Sequence, residues 1–379
     1  MALPFHSGLF GCSFKISSLG VLRFIIKRIM HGFLVLFGVL VLVFLLFNVL
    51  PGDPARLMMG QRVNQKSLDI IHKDMGLDEP VYARFLLYIN DLSPVSIYNP
   101  SVTSSHIYLD PDKYSHTLKV FNFTQNRALV LKLPYLRRSY QSRKKVSDII
   151  ASALPNTAVL AFTAIIIASI LGIIMGIIAA LFKDSVYDKV SIVLSVLGLA
   201  GPSFFTGLII AWLFGHVLNR YTGLNITGNL YMIDEDGNKV LQLQNLILPA
   251  ITLGIRPLAI IVQLTRNSML QVMTKDYIRT AFAKGLSLRR VVMKHALKNM
   301  LNPVITAISG WFASLIAGAV FVEYIFGWEG IGKNIVDALG RFDLPVIMGV
   351  ILVTSALFVI INILVDISYG LLDPRIKNV

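Results

Sequence analysis

The sequence is poor in cysteine and in acidic residues, and each shortage limits the functions that the chain can have. Cys12 is the only cysteine among 379 residues, so the chain forms no intrachain disulfide and its cysteine content does not indicate a redox compartment. Aspartate and glutamate number 21 against 35 lysines and arginines, a formal net charge of +14. Because most of this excess lies beside long apolar runs rather than in a compact basic domain, we expect no nucleic-acid binding.

Motifs for ATP hydrolysis and for metal catalysis are also missing. Nothing in the sequence matches the phosphate-binding loop Gly-x-x-x-x-Gly-Lys-Ser/Thr, so we expect this chain neither to bind nor to hydrolyse ATP. The seven histidines lack the spacing of zinc ligands, and no acylation or metalloprotease motif is present. We therefore predict no catalytic residue, no metal site and no cofactor on this chain, which is not expected to be an enzyme.

Apolar residues dominate what is present, at 55% of the chain against 15% charged. A membrane-spanning helix needs about 20 consecutive apolar residues, and six runs reach or approach that length. They predict an all-α integral membrane protein with six transmembrane helices. The predicted spans are Phe33–Leu50, Ala158–Phe182, Val190–Gly215 (with a kink at Pro202), Leu246–Thr265, Val304–Val322 and Val346–Val365.

The distribution of basic residues predicts the orientation. With the N-terminus inside, the inner segments 1–32, 183–189, 266–303 and 368–379 hold sixteen Lys or Arg, and the short outer loops 216–245 and 323–345 hold two each. Cytoplasmic loops are enriched in Lys and Arg, so both termini are expected in the cytoplasm. The predicted divisions are an N-terminal extension (1–32), a first span (33–50), an extracytoplasmic segment (51–157), a core of five helices (158–367) and a C-terminal tail (368–379).

The extracytoplasmic segment 51–157 is predicted to contain its own small structure. Ser67–Met75 and Pro80–Asp91 have helical patterns. Between about 93 and 140, Leu118–Phe123 and Ala128–Leu133 alternate in polarity around a short turn, which predicts a β-containing insert, although a poorly ordered excursion is the alternative. Val146–Leu154 is expected to be a separate interfacial helix ending before Pro155. Residues 230–242 predict a second hairpin, and we interpret its acidic residues as a turn rather than as a calcium site.

The cytoplasmic stretch Met273–Pro303 combines charge with a helical pattern. It is predicted to form two short helices, with Gly285 as the stop of the first, Ser287 as the N-cap of the second and Pro303 as its end. Tyr277, Ile278, Ala281 and Phe282 are expected on one face of the first helix, and Val291, Val292, Ala296 and Met300 form a stripe on the second. Such a helix–Gly–helix surface suits a protein partner, whereas the simpler alternative is a basic loop on anionic lipid.

Arg256, which precedes Pro257, is the only charged residue in the six apolar runs. A charge at that depth is costly, so by default it faces a water-filled cavity. We hypothesise that Arg256 lines a translocation path and attracts a carboxylate, such as a peptide C-terminus. The alternatives are an arginine that extends to the membrane surface and an ion pair with a partner subunit.

The stretch YIRTAFAKGLS resembles the "EAA" loop of the permeases of ATP-binding-cassette importers, and KHALKNMLNPVIT extends the similarity to their peptide-transporter branch. LPGDPA, MGLDEPVYARFLLYI, VEYIFGWEGIGKNIVDALGRFDLPVI and the terminal LLDPR are similar to the same branch. Two positions depart from the pattern, with Phe282 in place of a basic residue and Glu329 in place of a proline. The loop residues are Tyr277, Ile278, Arg279, Thr280, Ala281, Phe282, Ala283, Lys284, Gly285, Leu286 and Ser287.

This resemblance implies a permease subunit in a bacterial inner membrane. It would form half of a pore for di- or oligopeptides, together with a second homologous permease, two ATPase subunits that bind ATP and Mg, and an extracytoplasmic solute-binding protein. Residues 277–287 would be the loop that couples to an ATPase. Glu323, Phe326, Trp328, Gly330 and Gly332 would form an aromatic loop at the outer gate, with an interfacial aromatic belt as the alternative. The competing function is a channel or scaffold without ATPases.

Overall fold

The computed structural model describes residues 18–48, 79–98, 114, 117–124, 127–234 and 236–372, and most of these are helical. Five of the described helices are long and apolar enough to cross a membrane, and a bent helix pair accounts for a sixth if it counts as one span. The coarse prediction of a helical membrane protein with small β elements is confirmed. The predicted helix Ser67–Met75, the first seventeen residues and the last seven lie outside the described residues.

In chain order the described helices are α1 (Ser18–Asn48), α2 (Val81–Leu92), α3 (Val146–Leu181), α4 (Val186–Ala200), α5 (Ser203–Trp212), α6 (Asn219–Thr222), α7 (Gln244–Met273), α8 (Asp276–Ala283), α9 (Leu288–Val291), α10 (Leu297–Gly318), α11 (Val320–Ile325), α12 (Ile331–Gly340) and α13 (Leu344–Leu372). One π-helical turn follows α5 at Leu213–Val217, and another joins α9 to α10 at Val292–Ala296. Residues 288–318 therefore form one continuous helix.

The second predicted span is longer than expected. The separate interfacial helix Val146–Leu154 is wrong, because α3 continues through Pro155 to Leu181. Proline removes a single hydrogen bond, the one to the carbonyl four residues earlier, which here belongs to Ala151. The helix therefore crosses the proline without a break.

The third predicted span is broken rather than kinked. Helices α4 and α5 meet at an angle of 111°, with Gly201 and Pro202 between them. Proline cannot donate a backbone hydrogen bond, so helical bonding stops here and Ser203 begins a new helix. The carbonyl oxygen of Gly201, at this break, accepts a hydrogen bond from the side chain of Arg256.

Close approach of α3 and α7 builds the centre of the molecule, and it is the most extensive helix–helix contact in the described chain. A Cβ added to Gly176 would lie 2.5 Å from the Cβ of Thr265, and one added to Gly172 would lie 2.7 Å from Ile261. In lipid, helices associate through such close packing of small residues rather than through a hydrophobic driving force. Gly172 and Gly176 are therefore positions at which the two helices approach closely in this contact.

The predicted β-containing insert is present. Strands β2 (Leu118–Thr124) and β3 (Arg127–Leu131) form the expected antiparallel hairpin, and an unpredicted strand β1 (Val95–Tyr98) pairs with the other edge of β3, giving the order β1-β3-β2. Tyr98, Ala128 and Val130 are buried on one face. The second predicted hairpin is also confirmed as β4 (Tyr231–Ile233) with β5 (Lys239–Leu241).

The basic loop before α3 (residues 137–145) packs against the start of α13. The buried carboxylate of Asp343 accepts hydrogen bonds from Ser139 Oγ at 2.5 Å and from the backbone N–H of Tyr140 at 3.0 Å. This contact joins residues 139–140 to the end of the helix bundle at which α13 begins. The N-terminus of α3 is therefore anchored at the end of the molecule opposite to α8.

The glycine contact between α3 and α7 generates a stability prediction. Replacing Gly176 with valine should destabilise the fold by about 1–3 kcal/mol, because overpacking forces the helices apart. Gly38→Ala on α1 is the matched control, since a Cβ there meets nothing within 4 Å. Thermal unfolding of each purified variant in detergent should show a lower midpoint for the valine variant alone, and equal midpoints would contradict this packing.

Candidate functional site

The segment resembling a coupling loop is a short helix packed against the ends of three long ones. Helix α8 starts three residues after α7 ends, and its Ile278 and Ala281 are buried against α3, α7 and the continuous helix 288–318. The predicted stripe on the second helix is confirmed, since Val291, Val292, Ala296 and Met300 are all buried in this cluster. Helix α8 is thereby attached to the membrane bundle as a solid projection.

Large apolar side chains are exposed on this projection among basic ones, which include Arg279, Lys284, Arg289, Arg290 and Lys294. Tyr277 and Phe282 are 42% and 41% exposed, and Leu288 and Met293 are 50% and 60% exposed. Ile278 and Ala281 form the buried centre of the predicted face. At about 100° per residue, Tyr277 and Phe282 lie at the two edges of that face, where each is still more than half covered.

A glycine turn separates the two parts of the projection. Gly285 has φ of 76°, a left-handed conformation that glycine adopts without steric cost, and the N–H of Leu286 donates to the carbonyl of Ala281 at 3.3 Å. Ser287 stands at the N-cap of α9 with extended backbone, but its side chain makes no capping hydrogen bond. The remaining loop residues Arg279, Thr280, Ala283 and Lys284 are exposed.

Pro303 does not end the second helix as predicted. It lies inside the continuous helix 288–318, and the carbonyl that it leaves without a partner belongs to the exposed Asn299. Residues 288–318 consequently form one continuous helix that begins beside α8.

A buried ion pair links the same end of the bundle to the broken span. Arg266 on α7 donates to both carboxylate oxygens of Asp188 on α4, at 2.5 and 2.7 Å. Both side chains are largely buried, and the backbone N–H of Asp184 donates to the same carboxylate at 3.0 Å. Bidentate pairing of this kind fixes orientation as well as distance. The sequence analysis did not predict this pair. The available signal was that Asp188 and Arg266 flank two apolar runs and that both were expected on the same side of the membrane.

At the other end of the molecule, the predicted outer-gate loop folds around a buried carboxylate. Glu323 accepts hydrogen bonds from Thr157 Oγ1 at 2.6 Å and from the backbone N–H groups of Gly332 and Lys333 at 2.6 and 3.2 Å. The last two belong to the first turn of α12, where a negative charge is favoured by the helix dipole. Glu323 therefore joins α3, α11 and α12 at one point.

The aromatic residues of this loop are buried. Trp328 is inaccessible to solvent and its indole N–H donates to the carbonyl of Asn156 at 3.0 Å, while Phe326 is 1% exposed. These two rings pack inside the chain rather than at a membrane interface, and the role of the loop as an outer gate stays a prediction. Gly327, with φ of 64°, supplies the turn that returns Trp328 toward α3. The sequence did not reveal Asn156 and Thr157 as partners, since their contacts span more than 160 residues.

Gly330 and Gly332 lie so close to Glu323 and its helix that neither position has room for a side chain. A Cβ on Gly330 would lie 2.3 Å from the Glu323 carboxylate, and one on Gly332 would lie 2.4 Å from the Cα of Val320. No side chain fits at either position without displacement of backbone or of Glu323. The glycines in this motif therefore allow close approach rather than flexibility.

Arg256 lies in a cavity between the spans. The cavity measures about 210 Å³ and is formed by α7, the break between α4 and α5, and α10. One guanidinium nitrogen donates to the carbonyl of Gly201 at 3.2 Å. The structure thus brings Arg256 to the unwound backbone of the broken span, while the coupling segment and the outer loop lie at opposite ends of the bundle.

These features define a polytopic membrane protein with a rigid apolar projection at one end and a packed loop at the other. The family model described as "Binding-protein-dependent transport system inner membrane component" matches residues 172–378, and the model of the N-terminal region of such components matches residues 21–103. The chain belongs to this family. It is an inner-membrane permease subunit of a binding-protein-dependent importer, and its family is one of transport proteins rather than enzymes.

Several relatives match along nearly the whole chain. The di/tripeptide transport system permease protein DppB of Pseudomonas aeruginosa is 35% identical over 377 residues, and the dipeptide permease protein DppB of Escherichia coli K12 is 32% identical over 376 residues. The glutathione transport system permease protein GsiC of Escherichia coli K12 is 33% identical over 357 residues. Each match covers 94% of this chain and 99% of the relative.

Removal of space beside Glu323 should weaken the outer loop. Gly330→Ala places a methyl group against the carboxylate and should lower the unfolding midpoint by several degrees, corresponding to about 1–3 kcal/mol. Gly340→Ala is the matched control, because a Cβ there has no neighbour within 4 Å. Equal thermal stability of the two purified variants would show that the loop is not packed around Glu323.

The same carboxylate predicts a pH dependence of stability. Burial raises the pKa of Glu323, which lies beyond the end of the fifth span, to about 7, although hydrogen bonds from Thr157, Gly332 and Lys333 act in the opposite direction. In an unfolded chain a glutamate has a pKa near 4.3. The folded state therefore holds this proton more tightly, so its stabilising contribution is complete below about pH 4.5 and is lost as the pH rises through about 7.

Glu323→Gln should remove this part of the pH dependence. Unfolding midpoints of the wild type and the variant are compared between pH 5 and 8, with Glu329→Gln as the control at a neighbouring exposed acid. The wild type should lose stability relative to Glu323→Gln as the pH rises. Parallel curves for these two proteins would mean that Glu323 does not titrate in this window.

Proposed function

We propose that this chain forms half of the translocation pore of an importer for di- or oligopeptides. The relatives that match its whole length are named for di/tripeptides, dipeptides and glutathione, all of which are short peptides. ATP and Mg would be bound by two separate ATPase subunits, and an extracytoplasmic solute-binding protein would deliver the substrate. Six spans with both termini in the cytoplasm would place α8 on the same side as the ATPases.

The observation that carries this proposal is the rigid apolar projection at the inner end of the bundle. Its outer surface (Tyr277, Phe282, Leu288 and Met293) suits a protein groove, since large exposed apolar groups grouped on one projection mark interaction sites. Its inner surface is packed against α3, α7 and the helix 288–318. A partner that moves the projection would thus move the spans without an intervening flexible link.

The second permease subunit would cover one face of α10. Asn302, Thr306, Gly310, Ser314 and Gly318 follow one another at intervals of four residues and are all exposed. A Cβ on Gly310 or Gly318 would meet nothing within 4 Å, so neither glycine packs against another helix in the described part of this chain. A small and polar stripe along a membrane helix suits a pore or a close helix contact better than lipid tails.

The coupling would work by transfer of rigid-body motion. Closure of the ATPase pair on ATP would draw the two projections together, and each would tilt its continuous helix 288–318. The Arg266–Asp188 pair would carry the same displacement to α4, because a bidentate pair resists rotation of one helix against the other. The pore would then switch between outward-facing and inward-facing states.

Introducing a negative charge on the projection tests whether an ATPase subunit binds there. Phe282→Asp should reduce retention of the ATPase subunits on the affinity-purified chain at least tenfold, about 1.4 kcal/mol, because a carboxylate would be buried without a partner. Tyr221→Asp is the control, since Tyr221 is 85% exposed at the other end of the molecule. ATP-dependent uptake of peptide into proteoliposomes should fall in parallel for Phe282→Asp only.

Two results would count against this function. Full ATPase retention and uptake by Phe282→Asp would exclude the projection as the docking surface. Solute flux through the purified chain without ATPases or ATP would instead favour a channel.

A further inference from the structure

The cavity at Arg256 has the features of a ligand site at the middle of the membrane. Arg256 is twelve residues from the start of α7 and seventeen from its end, which places it about 18 Å from the outer end at 1.5 Å per residue. The hydrocarbon core is about 30 Å thick, so the guanidinium lies well inside it. A charge at such a depth is retained when it serves a water-filled path or a substrate.

Most of the hydrogen-bonding capacity of Arg256 is unused. The guanidinium has five N–H donors, and within the described structure it donates one hydrogen bond, to the carbonyl of Gly201. No carboxylate among the residues described forms an ion pair with it. Its planar fork therefore remains able to bind a carboxylate in bidentate fashion.

The surrounding groups favour a negative charge as well. Ser203 begins α5 and lines the cavity, so the positive end of that helix is directed to the same space. Thr252 is 4% exposed and lines the cavity, and its hydroxyl has no hydrogen-bond partner in the described structure. A buried hydroxyl without a partner indicates that a polar ligand or water completes this wall.

We propose that Arg256 and Thr252, with the N-terminus of α5, bind the carboxylate of a translocating solute. The proposal rests on the importer function given above and adds the chemical group that the pore recognises. The cavity volume corresponds to about seven water molecules, which suits one end of a short peptide rather than a longer segment. Ser314 and Gly318 belong both to this cavity and to the exposed stripe of α10, so the site opens onto the proposed pore.

The first test uses chemical restoration of the charge. Cys12 is the only cysteine, so Cys12→Ser gives a background in which Arg256→Cys carries the sole thiol of this chain. The complete transport complex is reconstituted with its binding protein and supplied with dialanine as the probe. Uptake should fall at least tenfold in the Arg256→Cys variant, and 2-aminoethyl methanethiosulfonate, which restores a cation, should recover it several-fold. Methyl methanethiosulfonate, which adds a neutral group, should not.

The second test measures access to the thiol directly. Modification by a membrane-impermeant trimethylammonium thiosulfonate is followed by the mass of this chain. Reaction should proceed from the aqueous phase, and dialanine should slow it several-fold while dialanine amide, which lacks the carboxylate, does not. Arg220→Cys, at an exposed arginine outside the cavity, should react equally with and without dialanine.

The outcomes separate this inference from the importer function. Wild-type rates of ATP-dependent uptake by Arg256→Gln, or equal protection by dialanine and its amide, would overturn the carboxylate site and leave the importer intact. Failure of the wild-type complex to take up dialanine or glutathione with ATP would overturn the proposed function itself.

Discussion

The contact between α3 and α7 is the constraint on which the rest of the structure depends. Gly172 and Gly176 bring α3 against Ile261 and Thr265, and a Cβ on Gly254 would lie 3.0 Å from the carbonyl oxygen of Ala164. This contact fixes the rotation of α7 about its axis. That rotation directs Arg256 toward the broken span, Arg266 toward Asp188 and the end of the helix toward α8. One glycine-mediated interface thus sets the position of all three features.

The two ends of the bundle solve opposite physical problems. At one end, a buried carboxylate and a buried indole tie the loop 319–332 to α3 with hydrogen bonds. At the other end, α8 buries one face against its own chain and exposes another. The proposed function uses both properties, because force applied at one end would be useful only if the bundle transmits it.

Hydropathy and motif spacing predicted much of this arrangement. The apolar runs gave the membrane helices, alternation gave both hairpins, and the helix–Gly–helix spacing located α8 and its turn at Gly285. The three proline positions were judged less well. Pro155 and Pro303 lie inside continuous helices, as Pro249 and Pro257 do in α7, whereas Pro202 follows a glycine and coincides with a break of 111°. A proline in the sequence therefore does not show by itself whether a helix ends.

Contacts between residues far apart in the sequence were not predicted either. Glu323 was expected in an outer loop, yet nothing nearby in sequence indicated Thr157 as its partner, and Asp188 and Arg266 are separated by 78 residues. Such pairs depend on which helices become neighbours. The α3–α7 contact decides that, and its glycines are evident only once the partner helix is known.

The most direct measurement of the central claim is native mass spectrometry of the complex purified with this chain from its own membrane in mild detergent. A permease whose projection couples to ATPases predicts an assembly of this chain, a second permease subunit and two ATPase subunits. Recovery of the chain alone, or of copies of it without ATPases, under conditions that keep other membrane complexes intact would contradict the account.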